Sequence, residues 1–148
     1  MPGTTANRIL IALSTSVLSI CLDVGLGIAQ AVKPQLSELP DSSIPRGCSY
    51  SLDDWKGTTF AWAPYQYAGN TQPNNLLIFI DGEIRALPIN SRSESHISAY
   101  DGRYYVDIRT PSWRRVGSEL SQARATLLLR NTKTYIETNI AVRASQGC

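Results

Sequence analysis

The sequence predicts an all-β fold, and three observations carry that prediction. Apolar and polar residues alternate with a period of two in the best-patterned segments, above all residues 134–143, which is the spacing that separates the two faces of a strand. Two Asp-Gly pairs, Asp81-Gly82 and Asp101-Gly102, stand directly between β-rich runs and are strong hairpin signals. The aromatic and β-branched runs are short and are cut by Gly, Pro and Asn roughly every 8–12 residues, the punctuation of a small meander barrel or sandwich.

Residues 1–31 stand apart from this pattern. Arg8 precedes an apolar-to-small run over residues 9–22, and the stretch closes on Ala29-Gln30-Ala31. A positive start, a short apolar core and an A-x-A ending make a secretory signal peptide. As a helix, that run spans about 21 Å, short of a roughly 30 Å hydrocarbon core. Asp23 would be costly inside a membrane span. The competing reading is an uncleaved anchor over residues 9–28. Cys21 does not suit lipid attachment, because Ile20 rather than a small residue precedes it.

Cleavage after Ala31 leaves residues 32–148 with a net charge of +2, two cysteines and no membrane span. A periplasmic or secreted protein is expected. Cys48 and Cys148 form an even pair for an oxidising compartment, so they are expected to bond. Arginine outnumbers lysine 11 to 3, a bias suited to fixed ion pairs or contact surfaces.

Residues 32–47 hold Pro34, Pro40 and Pro45 without periodicity and read as a flexible, extended linker. A single β domain is expected over residues 48–148. Strands are expected at 48–52, at 58–62 before Pro64, and at the apolar run 76–80. Asp81-Gly82 turns the chain so that 83–87 pairs back on 76–80, and Pro88 ends that strand. Residues 91–95 read as loop, 95–100 as a short strand, Asp101-Gly102 as a second hairpin turn, and 104–110 as the returning strand. After a loop at 111–118, residues 123–129 are read as a strand with Ala123, Ala125, Leu127 and Leu129 inward, paired with 134–143. About seven or eight antiparallel strands result, with no helix, closing as a barrel or folding over as a sandwich.

Little catalytic chemistry is legible. His96 is the single histidine, whereas a His-based metal site needs several ligands, so no metal or cofactor is expected. Phosphate-cradling loops and nucleophile elbows are absent. Nine carboxylates are scattered from Asp53 to Glu137, and two of them in a cleft could act on a glycoside. Two loops stand out. Tyr65 and Tyr67 occupy the first, and Trp113, Arg114 and Arg115 the second. Tyr, Trp and Arg are the residue types of interface hot spots, and they also stack on sugars and bind anions. The competing reading is that they cover the core. Such residues can bind single-stranded nucleic acid, but export argues against a nucleic-acid partner.

Asp81-Gly82, the Ser-rich loop 91–95, the Tyr-containing hairpin and the Trp113–Gly117 loop come in an order that resembles the periplasmic and membrane-bound inhibitors of c-type lysozyme. That resemblance implies an exported antiparallel barrel, with a bridge from an early cysteine to a late one. It further implies a loop serine and a loop basic residue entering the lysozyme cleft, roles that fall to Ser93 and Arg115. The family's Ser-Gly-x-Arg-Tyr run is missing, with Glu94 and Ser95 in its place, and the basic residue is arginine, not lysine. The chain is similar as well to small secreted bacterial proteins that end in Gly-Cys, from which no activity follows. The expected function is an exported, non-enzymatic binding or inhibitor domain using the aromatic and arginine loops, with a protein or a cell-wall glycan as partner. A structural envelope protein and a hydrolase with a carboxylate pair are the alternatives.

Overall fold

The period-two patterning is realised as nine strands. They are β1 (Ser49–Asp53), β2 (Thr59–Pro64), β3 (Asn75–Ile80), β4 (Glu83–Arg92), β5 (His96–Tyr100), β6 (Tyr104–Arg109), β7 (Arg114–Arg115), β8 (Leu120–Asn131) and β9 (Glu137–Gly147). The structure, a computed structural model, describes residues 32–65 and 73–148. The expected signal peptide and Tyr67 lie outside the described residues. Among the described residues there is no α-helix, only a 3-10 turn at Asp41–Ser43.

Every strand pairs antiparallel with its neighbour in an up-and-down meander. β1 pairs with β9, and β6 pairs with β8, so the sheet closes as an eight-stranded barrel, not a sandwich. Closure removes the free edges that an open sheet would expose. Twelve-residue β8 makes it possible: β9 lies along one side, while β6 and then the two-residue β7 share the other. No helix among the described residues is long and apolar enough to cross a membrane.

Alternate residues fill the interior. Leu52, Ala61, Ile78, Leu87, Val106 and Leu127 are fully buried, and the predicted inward face of β8 is buried throughout. Each large aliphatic side chain so buried contributes about 1.5–3 kcal/mol. The β1–β2, β3–β4, β5–β6 and β8–β9 turns share one end of the barrel, the turn end. The opposite end carries the bonded pair Cys48–Cys148, whose Cα atoms are 4.0 Å apart.

Asp81-Gly82 forms the expected two-residue hairpin, with φ of 51° and 82°, and Ile80 faces Glu83 across it. The second hairpin turns differently. The Asp101 N–H donates to the Tyr104 carbonyl, so Gly102-Arg103 is the central pair and only Gly102 has positive φ. The Asp101 carboxylate accepts from the N–H groups of Arg103 and Tyr104 and fixes the turn.

Three other expectations are corrected. Pro88 does not end its strand, since β4 runs on to Arg92 and leaves a loop of only 93–95 before β5. The Ile89 N–H donates to Asn74 on the β3 side, and donors alternate along a strand. The nitrogen of Pro88 therefore points to the other side, beyond the last β4–β5 pair, Ile89–Ala99, and no ladder bond is lost. β9 begins at Glu137 rather than at 134, because Tyr135 sits in the turn with φ of 58°.

The third correction concerns the linker. β1 covers β9 only from Arg143 to Gly147, and β2 meets β3 only at Ala61–Ile78 and Trp62–Leu77. The gap this leaves at the turn end is crossed by residues 34–39. Thr138 Oγ1 donates to the Pro34 carbonyl, Leu36 bridges Ile80, Ser37 N–H donates to Phe79, and Leu39 N–H donates to Thr59. Leu39 is fully buried. What reads as a mobile tether is, over these residues, a strap across the wall.

Candidate functional site

The loop residues singled out by sequence separate in space. Trp113 is half-buried: its Nε1 donates to the Glu94 carbonyl at 2.8 Å, and its ring meets the edge of Tyr50 at 5.9 Å. It is an anchor for the loop. Arg115 is exposed but folds back, with Nε on the Gly117 carbonyl and Nη2 on that of Ser118. Arg114 projects the opposite way from the β7 ribbon. It is exposed and carries no ion pair among the described residues.

Two surfaces result. On one side Arg115 and Tyr65 line a depression beside Gln146 and Cys148. Tyr65 and Gln146 also border the hollow that holds Arg92 and Ser93. The structure therefore gathers Tyr65, Ser93 and Arg115 at the disulfide end. Arg92 is held there by Nη1 on the Pro64 carbonyl and by the face of the Tyr50 ring, and burial lowers its guanidinium below the ordinary range.

On the other side Arg114 lines a cleft of about 530 Å³ with Trp55, Val116, Arg124 and Arg143. Trp55 is 52% exposed and Val116 49%. Arg143 is neutralised by buried Asp53, at 3.0 Å. Arg124 is exposed and, like Arg114, carries no ion pair among the described residues. Two unpaired guanidinium groups thus share the cleft with an exposed indole. Sequence pattern missed Trp55 and Arg124, which reach this cleft from the β1–β2 turn and from β8. Only the strand alternation that turns Arg124 outward was legible.

A second groove, of about 670 Å³, lies on the outer wall across β5, β6, β8 and β9. At its floor is Asp107, which is buried although it faces outward. Asp107 Oδ2 lies 2.6 Å from His96 Nε2 and accepts from the Tyr105 hydroxyl at 3.3 Å, while Oδ1 accepts from Arg109 Nε at 2.9 Å. Burial would raise its carboxyl, but the bonds from His96 and Arg109 outweigh that and hold it below the usual range. Burial and the Asp107 charge together raise the Tyr105 hydroxyl. Arg130 stacks over the Tyr105 ring and pairs with Glu137. His96 is half-buried and bonded into this network.

Several carboxylates are held by structural partners among the described residues. Glu83 and Asp101 approach one another, but both grip Arg85. Asp81 accepts from the Tyr104 hydroxyl and from Gln35 N–H, and Asp54 caps its own turn. No group of three or more His, Cys, Asp or Glu that could hold a metal occurs among the described residues. The chain matches no known family model, no curated protein and no solved structure.

Proposed function

We propose that this chain is an exported, non-enzymatic binding domain that seats an acidic patch or cleft of a partner protein on the Arg114 cleft. The observation that carries this reading is the pair of unpaired cations, Arg114 and Arg124, in one cleft with exposed Trp55. Separated guanidinium groups beside an aromatic ring suit carboxylates on a partner, with the ring supplying apolar contact. A disulfide fits an extracytoplasmic setting. An inhibitor would use the same surface against a carboxylate-bearing active site.

The test is affinity for two probes, poly-glutamate and c-type lysozyme. Binding to at least one, weakened about tenfold or more by Arg114→Ala with Arg124→Ala and by added salt, supports the reading. Binding to neither, or binding indifferent to both substitutions, overturns it. A second reading, in which Ser93 and Arg115 enter a lysozyme cleft, is favoured by their common neighbours Tyr65 and Gln146. It predicts that Ser93→Ala with Arg115→Ala, and not the Arg114 pair, abolishes lysozyme binding.

A further inference from the structure

We propose that the groove across β5, β6, β8 and β9 is a binding site for an acidic sugar, such as the uronic acid of an acidic glycan. It shares no lining residue with the Arg114 cleft, so it stands independently of the reading above. Three features of the groove point to this ligand. Its volume, about 670 Å³, falls within the range of small-molecule clefts. Tyr100 and Tyr135, which are 40% and 78% exposed, bring aromatic rings to its lining. Asn90, Asn139 and Thr126 supply the amide and hydroxyl groups that sugar hydroxyls need.

Tyr135 carries the argument furthest. It holds a left-handed backbone, φ 58°, where glycine or asparagine would sit without strain. The turn enforces this: Tyr135 N–H donates to the Asn131 carbonyl, while the Asn131 side chain accepts from Lys133 and Thr134. A bulky aromatic kept in that conformation and left mostly in water gains little for the fold. Strain of this kind gathers at ligand sites. Arg109 offers the anion contact: its charge is shared with buried Asp107, as that of Arg143 is with Asp53, but its outer fork stays open. It uses only Nε for Asp107, its side chain is 76% exposed, and its two terminal nitrogens have no partner among the described residues. That free fork matches a carboxylate.

The test is an amide-resonance titration of the whole domain with tri-galacturonic acid, using neutral maltotriose for comparison. The expected result is saturable shifts at Tyr100, Arg109 and Tyr135 with the acidic trimer, at least tenfold tighter than with the neutral one. Tyr135→Gly separates binding from folding: it should abolish the response while leaving the melting temperature unchanged or higher. Arg109→Met should cancel the preference for the acidic trimer. The proposal is overturned by no saturable shift, by shifts centred on Trp55 instead, by equal affinity for both sugars, or by a Tyr135→Gly variant that binds normally or unfolds.

Discussion

The backbone N–H of Leu39 donates to the Thr59 carbonyl at 2.7 Å, which ties a proline-rich segment to the first residue of β2. The bond lies where β2 and β3 have separated, and it is made possible by the shortness of the β1–β2 hairpin. Leu39 is buried to 1% exposure at this point. Leu39→Ala is expected to cost about 2–5 kcal/mol, the range for a buried leucine truncation. Urea denaturation would show it as a lower midpoint with an unchanged slope.

The bond joins Cys48 to Cys148, 100 positions apart in sequence, at the end of the barrel opposite the strap. In the chain-entropy model a loop of this size is worth about 4.7 kcal/mol. Cys48→Ser with Cys148→Ser should lower stability by about that amount, and reductant should have the same effect on the parent. Denaturation with and without reductant checks both.

Asp107 gives the groove a pH signature. Its carboxyl lies below the ordinary range when folded, so at acid pH the unfolded chain binds more protons than the folded one. Its contribution is complete above the unfolded value of about 3.9 and is lost as pH falls through the lower folded value. Asp101 has the same sign, through its bonds to Tyr104, Arg103 and Arg85. Asp107→Asn should cost about 1–2 kcal/mol at neutral pH and flatten the acid side of the stability profile. Thermal melts between pH 3 and pH 7 would reveal it.

Gly147 allows a close approach of two chain segments. A Cβ there would lie 2.0 Å from the Glu119 carbonyl oxygen, a backbone atom that cannot swing away. Gly147→Ala should cost about 1–3 kcal/mol through overpacking. It should also loosen the β8–β9 pairing beside Cys148, which amide hydrogen exchange at Leu120 and Ser121 would report.

Features that rest on local chemistry were legible in the sequence. Positive φ at Asp81 and Gly82 follows from that dipeptide, and with it the register of Leu76 on Leu87. The inward face of β8 follows from alternation, and the disulfide from counting cysteines. Features made by contacts between distant segments were not legible. Pro34, Pro40 and Pro45 give residues 32–47 the composition of a tether, and nothing local shows Leu39 reaching Thr59. The outer groove needs β6 beside β8, a closure that no strand announces alone. Trp113 and Arg114 are adjacent candidates in one loop, yet one anchors the loop and the other faces solvent, because successive residues of an extended chain point apart.

The indole N–H resonances offer the most direct test of binding at the Arg114 cleft. Trp55 is exposed beside Arg114, Trp62 is buried, and the Trp113 N–H is held by Glu94. Titration with poly-glutamate or c-type lysozyme should move the Trp55 signal saturably, with an effect that fades in high salt and in Arg114→Ala. The other two signals should stay within line width. A Trp55 signal that never moves, or a Trp113 signal that moves in its place, would contradict the account.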